Sequence, residues 1–146
     1  MTTPFHGGRT AGTALVEFAL AASLLLLMLA GVLDYAMALR TAASVASAAR
    51  AGALYGSISP ANAADAAGIR AAAVSAAPDV KNLSVSSSMS CQCSSGGLVS
   101  CSGTCTGNTM LVYVQVTAQA ATSAIFKYSG LSFSGGTSTP ARMRAQ

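Results

Sequence analysis

The sequence predicts an α+β chain: a long N-terminal membrane helix, a second alanine-rich helix, and a small antiparallel sheet with a disulfide-stapled hairpin. Three observations carry that expectation. An apolar run of 21 residues, Thr13 to Leu33, contains one charge, Glu17. An alanine-rich stretch without β-like alternation continues from it to Pro78. Beyond Lys81 the apolar period falls to two and four cysteines appear.

Residues 1–12, MTTPFHGGRTAG, are polar and glycine-containing and read as a leader peptide. The run 13–33 would form a helix of about 31 Å, the thickness of a bilayer's hydrocarbon. Arg9 precedes it with no acid among the first twelve residues, whereas Asp34 opens the far side. The positive-inside rule then predicts a single-pass membrane protein with a cytoplasmic N-terminus and an exported C-terminal part.

Residues 34–56 lack proline and are read as an extension of the same helix, with Leu39, Ala43, Ala46 and Arg50 at helical spacings and Gly56 as a stop. Residues 57–146 then form a small exported α+β domain. Its helix has Ser59 as N-cap, Pro60 at the first helical position, Asp65 in an early turn and Pro78 at its end. In its sheet, Leu83, Val85, Met89 and Cys91 alternate on odd positions, and Met110, Val112, Val114 and Val116 on even ones. Gly96-Gly97 and Gly135-Gly136 read as turns, and residues 142–144 as part of a last strand whose start Pro140 would place at an edge.

Composition limits the function. With 52% hydrophobic and 8% charged residues over 146 positions, the chain is neither disordered nor readily solvated alone. Its net charge of +4 comes from scattered basic residues, which argues against nucleic-acid binding. No charge at all occurs between Asn82 and Phe126. Such a surface of Ser, Thr and Gly packs into an assembly without desolvating ions.

The most specific motif is Gly12-Thr13-Ala14-Leu15-Val16-Glu17-Phe18. It resembles the processing site of type IV prepilins, a glycine followed by four residues, a glutamate and an aromatic. A carboxylate inside an apolar span is costly and marks a functional position. The resemblance implies cleavage by a prepilin peptidase between Gly12 and Thr13, and pairing of Glu17, beside Phe18, with the new α-amine of Thr13 in a neighbouring subunit. Together with Leu33-Asp34-Tyr35 and AARAGALYG at 48–56, the pattern resembles the TadE-like proteins, minor pilins or pseudopilins of the tight-adherence (Tad) pilus. Ala51 stands where that family often has Glu. The resemblance covers residues 7–56. It implies a pilin-like fold and, as partners, other pilin subunits, the Tad assembly platform and the inner membrane, in a pilus used for surface adherence or secretion. Major subunits of such pili are usually much shorter, so a minor subunit is expected. Small residues, among them Ala36, Ala38, Ala42, Ala43, Ser47 and Ala49, would let its helix approach others closely.

Cys91, Cys93, Cys101 and Cys105 are disulfide candidates, a zinc reading being weaker because no C-x-x-C knuckle is present. Three connectivities are open. If residues 83–93 and 105–117 form a hairpin, nested bridges Cys91 to Cys105 and Cys93 to Cys101 would staple its tip, with a one-residue bulge. An enzyme is not expected, nor a cofactor, a metal or a small-molecule substrate: the only histidine, His6, lies in the leader, and no phosphate loop or carboxylate pair occurs. Tyr113, Tyr128 and Phe133 are read as packing residues before adhesive ones. An alternative from another class is a secreted domain released by signal peptidase near Ala38, where Ala36-Met37-Ala38 has the A-x-A form; a plain single-pass envelope protein is the third.

Overall fold

The computed structural model describes the backbone of residues 10–123 and 134–145. The leader residues 1–9, with His6 and Arg9, and the aromatics Tyr128 and Phe133 lie outside the described residues. The element order is α1 (Thr10–Ser57), α2 (Pro60–Ala64), α3 (Ala66–Ser75), β1 (Ser84–Cys93), β2 (Leu98–Val99), β3 (Met110–Ser123) and β4 (Ser134–Ala145). Two compact units are present, Met1–Met37 and Ala38–Gln146.

The first unit holds α1 as far as Met37. This part of α1 is long and apolar enough to cross a membrane, with mean hydropathy 2.3 in its most apolar window and none of that window buried. Leu24, Leu25, Leu26, Leu27 and Met28 are all more than half exposed. Each such side chain gains about 1.5–3 kcal/mol on leaving water, so a lipid or protein environment is the medium this segment requires.

In the second unit, α1 presents Val45, Ala48, Ala49, Gly52, Ala53 and Gly56 inward, at helical spacing. This is not the face marked by Leu39, Ala43 and Arg50, which are exposed. Small residues face inward because the sheet lies close. A Cβ on Gly52 would stand 3.2 Å from Ile69 Cγ2, the Ile69 carbonyl oxygen and Val116 Cγ1; one on Gly56 would stand 3.0 Å from both Val114 methyls. Gly56 therefore serves as a packing position. α1 ends at Ser57, one residue beyond the expected stop.

The second helix divides. Ser59 caps α2, its Oγ accepting from the Asn62 amide at 3.1 Å, with Pro60 in the first turn as expected. Asp65, at φ −84° and ψ 82°, leaves the helical region and becomes both the end of α2 and the N-cap of α3. Expected inside one helix, it instead breaks it in two, because its carboxylate takes the Gly68 amide at 3.0 Å.

The sheet is antiparallel, in the order β2-β1-β3-β4. β1 and β3 pair Val85 with Ala118 and Cys91 with Val112, so odd positions lie directly opposite even ones and share a face without the bulge. On the helix side, Val114, Val116, Ala118 and Ala120 of β3 meet α1 and α3 residues in two buried clusters. The expected simple hairpin is interrupted. After Cys93 the chain reverses through Gly96 and Gly97, both at φ +95°, and β2 pairs back onto β1, Cys91 opposite Val99. The chain then passes through residues 100–109 to begin β3 on the other side of β1. β4 begins at Ser134, so Gly135 and Gly136 stand in a strand opposite Thr122 and Ala121, and not in a turn. Pro140 sits inside β4, not at its start, and is accommodated because β4 is an edge.

Candidate functional site in the N-terminal helix

Gly12, Thr13, Glu17 and Phe18 all lie in the first turns of α1, where a helix without proline carries them at 1.5 Å per residue. Thr13 and Glu17, four apart, share one face. Phe18 is 72% exposed, Glu17 is exposed, and among the described residues Glu17 has no hydrogen-bond or ion-pair partner. Nothing lies within 4 Å of a Cβ built on Gly12, and its φ is not positive. Neither packing nor backbone conformation among the described residues thus asks for glycine at position 12, in contrast to Gly52 and Gly56.

The cysteines form two disulfides, Cys91 to Cys101 and Cys93 to Cys105, with Cα separations of 5.1 and 5.7 Å. They interleave where nesting was expected. The cause is β2: because Val99 already lies opposite Cys91, Cys101 arrives beside Cys91, and Cys105 is left for Cys93. Both bridges hold the 94–109 segment, where Ser94 also donates its amide to the Thr109 carbonyl at 2.9 Å. Among the described residues no group of three or more His, Cys, Asp and Glu converges as a metal set.

Three polar arrangements lacked any motif in the sequence. The Tyr55 hydroxyl donates to Asp65 Oδ2 at 2.9 Å while Asp65 Oδ1 accepts from Gly68. The Gly68 amide first, and then the Tyr55 hydroxyl, hold the Asp65 carboxyl below its ordinary range; the same hydrogen bond pushes the Tyr55 phenol up. A Cβ on Gly68 would collide with Asp65 Oδ2 and the Tyr55 hydroxyl. Arg40 pairs with Asp79 at 3.5 Å, and Ser44 donates to the same carboxylate at 3.4 Å. On the sheet, the Arg142 guanidinium stacks 4.5 Å from the centroid of Tyr113, which is half-buried. A tyrosine followed 29 positions later by an arginine carries no local signal of contact, since only the β3–β4 register brings them together.

No curated protein and no solved structure matches the chain. The family model for TadE-like protein matches residues 12–54, the span of α1 from the glycine of the motif to the last turn before Gly56. Over that span, less than a third of the chain, it is similar to the TadE-like family.

Proposed function

We propose that this protein is a minor pilin or pseudopilin, a structural subunit of a Tad-type pilus, made as a precursor whose leader, residues 1–12, is removed by a prepilin peptidase. Residues 13–33 anchor it once in the inner membrane with the N-terminus cytoplasmic, 34–56 extend the helix, and 57–146 form the exported domain. The two disulfides support export, because such bonds persist in oxidising compartments.

The observation that carries the reading is Glu17, an exposed carboxylate without a partner among the described residues, in an apolar helix five positions after a glycine that the fold does not require. Cleavage after Gly12 creates a cation at the α-amine of Thr13. As helices of neighbouring subunits come together, that amine neutralises Glu17 and removes the cost of an isolated charge in an apolar medium. Phe18 packs beside the pair, and the exposed Ala36, Ala38, Ala43 and Ser47 let helices approach closely. Assembly partners are therefore other pilin subunits and the Tad assembly platform.

N-terminal sequencing with intact mass of the mature protein tests the reading. Thr13 is expected; Leu39 would instead report signal-peptidase release after Ala38, and Met1 or Thr2 a plain anchored protein, and either rejects the proposal. A Glu17→Leu variant is expected to insert normally but to enter pili poorly. Normal incorporation of that variant would reject the pairing with Thr13.

A further inference from the structure

The side of the sheet turned away from α1 and α3 has an unusual chemistry. On β1 it carries Ser84, Ser86 and Ser88, all exposed, and on β3 the exposed Gln115 and Gln119. Its charged side chains among the described residues are Arg142 and Arg144 of β4, both exposed and both cationic. No acid occurs anywhere after Asp79 in the sequence, and the four acids lie on α1 (Glu17, Asp34), at the α2–α3 junction (Asp65) and between α3 and β1 (Asp79). Neither arginine has a carboxylate partner among the described residues.

Arg142 is nonetheless held. Its guanidinium lies over the Tyr113 ring, 4.5 Å from the centroid, and the residue remains exposed. Tyr113 stands directly opposite Arg144, and Gln115 directly opposite Arg142. Gln92, Tyr113, Arg142, Met143 and Arg144 line a shallow open recess at this end of the sheet. The result is a planar donor fork, a second cation beside it, and hydroxyl and amide side chains following along the strands, with Leu111 and Pro140 among them.

We propose that this face binds an anionic polysaccharide, with Arg142 and Arg144 taking uronate carboxylates and the Ser and Gln side chains hydrogen-bonding sugar hydroxyls. Charge complementarity selects an anionic occupant. The rest of the face selects a glycan among anions. A protein partner needs a central apolar or aromatic anchor, and here Tyr113 is already half-buried under Arg142. Anionic bilayers attract clusters of about four to eight basic residues, and two arginines on a flat hydroxyl-rich surface fall short of that. Arg142 and Arg144 act as the carboxylate-binding residues; Tyr113 is a positioning residue for Arg142.

The test uses the detergent-solubilised full chain, titrated with alginate oligomers as the uronate probe and with dextran as the neutral control. Alginate is expected to bind and dextran not, with affinity falling as NaCl rises. The double variant Arg142→Ala, Arg144→Ala is expected to weaken alginate binding by about tenfold or more, and Arg142→Lys, Arg144→Lys by less, because charge remains while the bidentate fork is lost. Tyr113→Leu should weaken binding without changing the net charge. Lys81→Ala, a cation lost from outside the sheet, should leave it unchanged; helix content and non-reducing mass verify that each variant is folded with both disulfides. The proposal is overturned if the double alanine variant binds alginate like the parent, if Lys81→Ala loses as much, or if poly-L-glutamate or phosphatidylglycerol vesicles compete as well as alginate.

Discussion

Gly56→Ala is a change that helix propensity alone scores as favourable and that the packing of this fold opposes. All three atoms nearest to a Cβ at this position belong to one side chain: Val114 Cγ1 and Cγ2 at 3.0 Å and Val114 Cβ at 3.3 Å. Carbon pairs prefer about 3.5–4.0 Å, so Val114 would have to retreat by about 0.5 Å or more. It is 0% exposed and sits on β3 between Met89 of β1 and Met143 of β4. Overpacking of this kind costs about 1–3 kcal/mol, whereas alanine gains at most about 1 kcal/mol over glycine, and less near a helix end. A net loss of about 1–2 kcal/mol follows, or about 5–10 °C in melting temperature for a unit of this size. Val114→Ala alone removes two buried methyls and costs about 2 kcal/mol. The double variant should cost little more than Val114→Ala alone, because the methyl added at position 56 enters the space the valine vacates. Thermal unfolding of the detergent-solubilised full chain, with hydrogen-exchange protection of β3 amides as a second readout, measures all three. If Gly56→Ala melts at or above the parent, or if the two costs simply add, the close approach of α1 to β3 is not what fixes glycine there.

The Tyr55–Asp65–Gly68 cap makes stability pH-dependent at both extremes. The Asp65 carboxyl titrates lower in the fold than in the unfolded chain, so its contribution is complete above the unfolded value, about 3.9, and disappears as pH falls through the lowered one. Tyr55 is shifted upward, so its contribution is complete below about pH 10 and is lost as pH rises through the raised value. Denaturation profiles from pH 2 to 11 should show Tyr55→Phe weakening the alkaline decline and Asp65→Asn weakening both limbs, since Asp65 is also the cause of the Tyr55 shift; an unchanged alkaline limb in Tyr55→Phe would refute the coupling. Reducing the disulfides should release residues 94–109 to exchange before α3 or β3, each bridge contributing about 2–3 kcal/mol in the chain-entropy model. Loss of the Cys91–Cys101 pair should harm the fold more than loss of Cys93–Cys105, since Cys91 is 2% exposed and Cys93 half-buried. By contrast, Arg40→Ala should change stability by no more than about 1 kcal/mol, because its pair with Asp79 is exposed on both sides.

Features that depend on a residue's own chemistry were readable in the sequence, and those that depend on distant partners were not. Helix α1 follows from an apolar, alanine-rich stretch without proline, the cap at Ser59 from a serine before Pro60, and the reversal at 94–97 from a Gly-Gly pair. The even-numbered valines of β3 announced their face because half-burial imposes a period of two. Asp65 looked like an acid in an early helical turn, since nothing local reveals that Tyr55, ten positions back, donates to it. β2 has two residues, too few for any period, and missing it also inverted the disulfide pairing, because β2 decides which cysteine reaches Cys91 first. Gly135-Gly136 carries a turn signal that pairing with β3 overrides.

Acids are scarce in this chain, so the surroundings of each one are informative. Four occur in the chain. Asp65 caps α3, Asp79 meets Arg40 and Ser44, and Asp34 also has a partner. Glu17 alone among them has none among the described residues, and it stands inside the apolar stretch of α1, where an unpaired carboxylate is costly. On the proposed reading its partner is the α-amine of a second, processed subunit. Under the proposed processing, cleavage after Gly12 would supply a cation on the helix face of Glu17, four residues or about 6 Å along the axis, and a copy of the same helix shifted by that distance would bring its cation level with Glu17. The pairing thus needs only a second processed subunit, and a Thr13 α-amine blocked by acetylation should impair pilus incorporation as Glu17→Leu does. Should acetylated subunits enter pili normally while Glu17→Leu subunits do not, Glu17 must act through some group other than the amine of Thr13.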